Sequence, residues 1–179
     1  MTVSGSTAPT PSFPLVFRSA RPADGVTLWR LVQGAGTLEL NSQYFYLLLA
    51  TDFGDTCLIA EHEGEAVGMV IGYQPPREPH TAFVWQVGLL PEHQGKGLGL
   101  RLLMAWLALP ANTHCQWVTA TVAEDNTASQ ALFKRLAREL ETGCEVRPHF
   151  TADLFAHDHP AEPLYRIGPL ARGAPARTD

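Results

Sequence analysis

No stretch of the sequence stays apolar over the roughly 20 residues that a membrane-spanning helix needs. Residues 1–14 lack both the basic start and the apolar run of a secretory signal. Cysteine is scarce: Cys57, Cys115 and Cys144 lie far apart, with no C-x-x-C pair. That excludes a disulfide framework or a zinc knuckle, and buried thiols are the expectation. Basic charge is also in short supply, 13 Lys and Arg against 18 Asp and Glu, for a net charge of −5. Affinity for nucleic-acid phosphates comes from clustered cations, so that class of partner is not expected. These absences point to a cytoplasmic protein with neither a membrane nor a nucleic-acid partner. What remains is an ordinary globular composition of 179 residues, 45% apolar and 17% charged, enough for one domain with its own core.

The chain reads as interleaved strands and helices. Residues 15–18 suit a first strand, and a helix follows through Val26, Leu28, Leu31 and Val32 until Gly34-Ala35-Gly36 interrupts it. Asn41 and Ser42 can cap a second helix over 43–51 with an aromatic and leucine face. Runs 56–61 and 66–73 are rich in strand formers and are joined by a hairpin at His62-Glu63-Gly64-Glu65. Residues 82–89 are apolar on both faces, as a covered central strand must be. A helix over 97–109 follows, with Leu98, Leu102, Leu103, Trp106 and Leu107 inward, and then a strand over 117–122. Asp125 or Asn126 can cap a helix whose Ala128, Leu132, Leu136 and Leu140 form one stripe. Residues 144–150 and 164–168 are the last strand candidates. Together these give one α/β domain over 15–168. The tails at 1–14 and 169–179 have the composition of frayed ends.

The most informative stretch is Val87-Gly88-Leu89-Leu90-Pro91-Glu92-His93-Gln94-Gly95-Lys96-Gly97-Leu98-Gly99. A strand ends, Pro91 turns the chain, and three alternating glycines open a leucine-rich helix. The first N–H groups of a helix have no internal partner and its dipole favours an anion there. Glycines let a phosphate approach those amides closely. The spacing is neither the magnesium-nucleotide G-x-x-x-x-G-K-[ST] loop nor the dinucleotide G-x-G-x-x-G. Taken alone, the glycines fit a ligand-free turn as well as a phosphate site.

Two motifs together resemble those of the GNAT N-acetyltransferase family. One is Gln94-x-x-Gly97-x-Gly99 after Leu89-Leu90-Pro91. The other is Asn126-Thr127-Ala128-Ser129-Gln130-Ala131-Leu132-Phe133, similar to that family's N-x-x-A-x-x-x-[YF] signature. The resemblance covers roughly residues 15–168. It implies an α+β fold with a mixed, mostly antiparallel central sheet, helices on both faces, and two central strands splayed to admit the pantetheine of acetyl-CoA. By the same resemblance the backbone of Val87 and Leu89 pairs with the pantetheine and the thioester. The amides of Gln94, Gly95, Lys96, Gly97, Leu98 and Gly99 hold the pyrophosphate, and the Asn126 side chain meets the cofactor arm. Many relatives place a proton-donating tyrosine at the end of the second motif. Phe133 stands there in this chain and has no proton to give.

Three further segments, 40–49, 83–87 and 163–169, resemble the diaminobutyrate acetyltransferases of ectoine biosynthesis. That implies acetyl transfer to the 4-amino group of L-2,4-diaminobutyrate, with Glu39, Tyr44, Trp85, His159 and Glu162 forming the amine pocket. Glu39 and Glu162 suit the ammonium groups, and either can relay a proton through water. His159 suits the substrate carboxylate or base work, so Glu39 and His159 are the catalytic candidates. An amine of this type has a pKa of about 10 and must lose a proton before it attacks. Relatives are often homodimers, which sets the same expectation here. His157 and His159 with Asp153 and Asp158 lack a fixed ligand spacing, and no metal is expected. The alternatives are a different small amine, or a non-catalytic module that binds acetyl-CoA.

Overall fold

The computed structural model describes residues 14–171. Seven strands form one sheet in the order β1-β2-β3-β4-β5-β7-β6. They are β1 (Val16–Ser19), β2 (Cys57–His62), β3 (Glu65–Tyr73), β4 (Thr81–Leu89), β5 (Trp117–Thr121), β6 (Gly143–Phe150) and β7 (Glu162–Gly168). Neighbours are antiparallel except β4 and β5, which run parallel. The expected mixed, mostly antiparallel sheet is therefore present.

Four helices cover it: α1 (Gly25–Ala35), α2 (Gln43–Asp52), α3 (Leu98–Leu107) and α4 (Thr127–Glu139). Alternation along β2 and β3 divides their side chains between two cores. Cys57, Ile59, Met69 and Ile71 pack with Leu28, Leu31, Val32, Tyr46 and Leu49 of α1 and α2. Leu58, Ala60 and Val70 face the other way, among Leu98, Leu102, Leu103 and Trp106 of α3 and Phe133 and Leu136 of α4. The Trp106 indole N–H, buried in that second core, donates to the Thr56 carbonyl at 2.7 Å.

Ser42 caps α2, its Oγ accepting the Phe45 N–H at 3.3 Å, and Asn126 caps α4. The stripe expected on α4 needs correcting. Ala128 is exposed and Leu132 and Leu140 are half-buried, while Phe133, Leu136 and Ala137 are buried. A strict four-residue step drifts about 40° per turn from the 3.6-residue helix, so Ala128 has rotated off the seam. The packed body also continues beyond residue 168: Leu170 is buried and its N–H donates to the Gln116 carbonyl at 2.8 Å. The rest of the expected tails, 1–13 and 172–179, lies outside the described residues.

Candidate active site

The parallel pairing of β4 and β5 is short. Thr81 to Val84 lie opposite Trp117 to Ala120, and there it stops. Beyond that point β4 stays with β3 as far as Leu89 opposite Gly68. The chain after β5 instead follows the β7 side, with Val122 N–H donating to the Pro163 carbonyl at 3.2 Å and Glu124 N–H to the Ala161 carbonyl at 3.3 Å. The sheet forks, and the β5-facing edge of β4 from Trp85 to Leu89 carries no strand. Val87 and Leu89 lie on this open stretch.

At one end of the fork is the glycine loop. Residues 91–93 make a single 3-10 turn, and the Gln94 side chain fastens the loop, donating to the Leu89 carbonyl at 2.8 Å. The Gln94 backbone N–H is spent on the Pro91 carbonyl at 3.1 Å. Gly95 and Gly97 both have φ of +73°, a left-handed conformation that L side chains resist, and Gly97 is the N-cap of α3 with no side-chain cap. Nothing lies within 4 Å of where a Cβ on Gly95 would be. The loop mouth is thus open, and the first amides of α3 with their dipole face it without a competing side chain. Those features fit a pyrophosphate. Lys96 turns back onto the loop, its Nζ donating to the Glu92 carbonyl at 2.8 Å. Asn126 spends its Oδ1 on the Ser129 N–H at 3.0 Å, which leaves the Nδ2 donors for a ligand.

Sequence reasoning missed Arg135. Its Nη1 lies 3.9 Å from where a Cβ on Gly97 would be, so α4 brings a guanidinium beside the loop. The available signal was its position three residues after Leu132, on the same helix face.

Around the rest of the fork, two groups of predicted residues assemble separately, one beside the start of the open stretch of β4 and one on the β5–β7 branch. In the first, Glu39 is exposed on the chain between α1 and α2, and its carbonyl accepts the Gln86 Nε2–H at 2.8 Å. Trp85 is half-buried, edge-on to Phe45 at 5.2 Å and 6.3 Å from the Tyr46 ring. Tyr44, at the start of α2, is 68% exposed and nothing encloses it within the described chain. Gln86 and Tyr46 were not among the expected residues. A buried glutamine in an apolar strand was the signal that could have found the first.

The second group is His159 and Glu162, His159 Nε2 lying 3.8 Å from Glu162 Oε1. The His159 ring stacks on Phe155 at 4.0 Å. Its Nδ1 is 2.7 Å from the Pro160 carbonyl oxygen. A carbonyl only accepts, so Nδ1 carries a proton, and Nε2 is the ring nitrogen turned toward Glu162. Glu162 opens β7, next to Ala161, whose carbonyl holds Glu124, so this pair sits on the β5–β7 branch of the fork. No hydrogen bond or ion pair among the described residues joins the two groups. Phe133 is buried and packs toward Tyr165, with ring centroids 6.3 Å apart. No three His, Cys, Asp or Glu side chains among the described residues gather as metal ligands do.

A forked sheet with a glycine-opened helix at the fork is the architecture of an acyltransferase, and the chain belongs to the acetyltransferase (GNAT) family, whose model matches residues 26–137. Its relatives are narrower in kind. Over 159 residues it is 42% identical to the L-2,4-diaminobutyric acid acetyltransferase of Marinococcus halophilus, covering 88% of this chain and 92% of that protein. It is 40% identical over 158 residues to the enzyme of the same name from Halomonas elongata, covering 88% and 82%. Among solved structures it resembles the diaminobutyrate acetyltransferase EctA from Paenibacillus lautus, in complex with L-2,4-diaminobutyric acid and coenzyme A. The TM-score is 0.82 at 37% identity, over 88% of this chain and 96% of that one.

Proposed function

We propose that this chain transfers acetyl from acetyl-CoA to the 4-amino group of L-2,4-diaminobutyrate, giving N4-acetyl-L-2,4-diaminobutyrate, the precursor that ring closure turns into ectoine. The observation that carries the reading is the fork in the sheet, with a glycine-opened helix start on one branch and an imidazole–carboxylate pair on the other. Similarity to diaminobutyrate acetyltransferases over most of the chain supports the choice of amine.

In this reading the amides of Gly95 to Gly99 and the Arg135 guanidinium hold the pyrophosphate, with the Asn126 Nδ2 donors on the cofactor arm. The open edge at Val87 and Leu89 takes the pantetheine and orients the thioester. Glu39 binds the 2-ammonium and Trp85 walls the pocket, so the 4-amine alone reaches the fork. His159 Nε2 takes the proton from the 4-ammonium, and Glu162 stabilises the imidazolium that results. The neutral amine then forms the C–N bond as the C–S bond breaks, and the nitrogen sheds its second proton to solvent to become the amide. Phe133 offers no proton, so the thiolate leaves charged and is protonated by solvent.

The assembly and compartment belong to the same proposal. We read the chain as a homodimer, because α2 leaves Tyr44, Leu47 and Leu48 exposed together. We place it in the cytoplasm, since none of the three cysteines is disulfide-bonded and no described helix is long and apolar enough to cross a membrane. Light scattering that gives the monomer mass would overturn the dimer.

Thiol release from acetyl-CoA, measured with L-2,4-diaminobutyrate, ornithine, lysine, a polyamine and an aminoglycoside, tests the function. Preference for diaminobutyrate with an N4-acetyl product by NMR is the expected result. Turnover of another amine alone would remove the pocket assignment. Acetyl-CoA binding with no turnover at all would make the chain a non-catalytic module.

A further inference from the structure

Strand geometry sends consecutive side chains to opposite faces. Trp85 and Gln86 break that rule, because both reach Tyr46: the Trp85 ring lies 6.3 Å from the tyrosine ring and Gln86 Oε1 lies 3.3 Å from its hydroxyl. The register explains how. Ile71 of β3 sits opposite Gln86, while Gly72 sits opposite Val84, so Trp85 is the extra residue of a β-bulge. Bulges re-aim side chains in this way.

Gln86 is 5% exposed and uses both ends of its amide. Its Nε2 donates to the Glu39 carbonyl at 2.8 Å and its Oε1 accepts from the Tyr46 hydroxyl at 3.3 Å. The tyrosine oxygen in turn accepts the Asn41 N–H at 3.3 Å. The amide orientation is fixed by its partners, since a carbonyl needs a donor. Glu39 and Asn41, on either side of Leu40, are therefore both held by one buried pair from β4 and α2. The loop that carries Glu39 has no regular structure of its own to hold it.

We propose that Gln86 is a positioning residue for amine recognition: turned inward by the bulge, it fixes the backbone of Glu39 and so sets where that carboxylate stands relative to Trp85. The proposal rests on the reading of Glu39 as the group that binds the substrate ammonium. Gln86 itself touches no substrate and acts through Glu39.

A double-mutant cycle tests it, with KM for diaminobutyrate, KM for acetyl-CoA and kcat measured on wild type, Glu39→Gln, Gln86→Leu and the double variant. Gln86→Leu is expected to raise the amine KM about tenfold, the scale of one well-placed hydrogen bond to a charged group. KM for acetyl-CoA stays within about twofold, because the glycine loop is built on other residues. On the Glu39→Gln background the same change adds less than about twofold, since the carboxylate it positions is already gone. Tyr46→Phe, which keeps the ring and removes only the hydroxyl, reproduces the pattern at smaller size. It carries the same cycle if Gln86→Leu fails to fold.

A tenfold rise on both backgrounds would overturn the proposal, for it would mark a general loosening. An amine KM unchanged by Gln86→Leu and Tyr46→Phe, while Glu39→Gln raises it, would overturn it as well. An amine KM unchanged by Glu39→Gln is a different failure: it removes Glu39 from the pocket, and the positioning role falls with it.

Discussion

The two ends of the fork are built by opposite means. The proposed anion end is one short stretch, Gly95 to Gly99, and would work through backbone amides that any sequence with the right glycines would present. The proposed amine end gathers the loop before α2, the bulge of β4 and, from the other branch of the fork, the start of β7, and would work through side chains that other side chains hold. A backbone site tolerates change outside its glycines and fails sharply at them. A side-chain site fails by degrees where a supporting partner is lost, and sharply only where the reacting proton is handled.

Glu162→Gln strikes that last point. It keeps the shape and removes the charge that would stabilise the His159 imidazolium, and kcat should fall about 100-fold, the low end of what a positioned proton-transfer group contributes. KM for acetyl-CoA should not follow. If kcat survives, the pair at the β7 end is structural and the proton goes elsewhere. Gly97→Val does the converse. It forces a branched side chain into a residue with φ of +73° and into the loop mouth, so KM for acetyl-CoA should rise by about 100-fold. The melting temperature should also drop by a few degrees, through about 1–2 kcal/mol of strain. An unchanged cofactor KM would show that the loop is only a turn.

The contrast also explains what the sequence could disclose. The glycine-opened turn into α3 was legible because its residues are consecutive. Strand and helix positions were legible because the apolar period repeats, although a four-residue step does not stay on one face of α4. Gln86, Tyr46 and Arg135 were not legible. The role of Gln86 arises from a register shift between β3 and β4, which neither strand announces, and Arg135 meets Gly97 only after α4 packs on α3. The pairing of His159 with Glu162 was readable as proximity in sequence, but the Nδ1 proton held by the Pro160 carbonyl was not.

Arg135→Ala is a milder test of the anion end. An exposed cation beside a phosphate contributes a modest, screened attraction, so KM for acetyl-CoA should rise about fivefold at low salt. The difference from wild type should shrink as salt increases. A rise that ignores ionic strength would mean that Arg135 packs against α3 and does not meet a phosphate.

The smallest effect on activity belongs to a region whose side chains are part of neither end, and it supplies the reference for the others. Arg18 of β1 grips Asp24 through two contacts of 2.7 and 2.9 Å and reaches Glu61 at 2.7 Å, tying the start of α1 to the sheet. The Arg18 hydrogen bonds, with a further one from the Arg21 N–H, hold the Asp24 carboxyl below its ordinary value of 3.8 despite its burial. Because the folded value is lowered, the stabilisation is complete above about pH 4 and is lost as the pH falls through the folded value. Asp24→Asn should cost about 2 kcal/mol at pH 7, and its deficit in melting temperature should narrow below pH 4, where the wild-type pair is also being lost. Both KM values should stay at wild type. A variant that is less stable yet binds both substrates normally shows that the selective KM changes predicted at the two ends of the fork are not what general loosening produces.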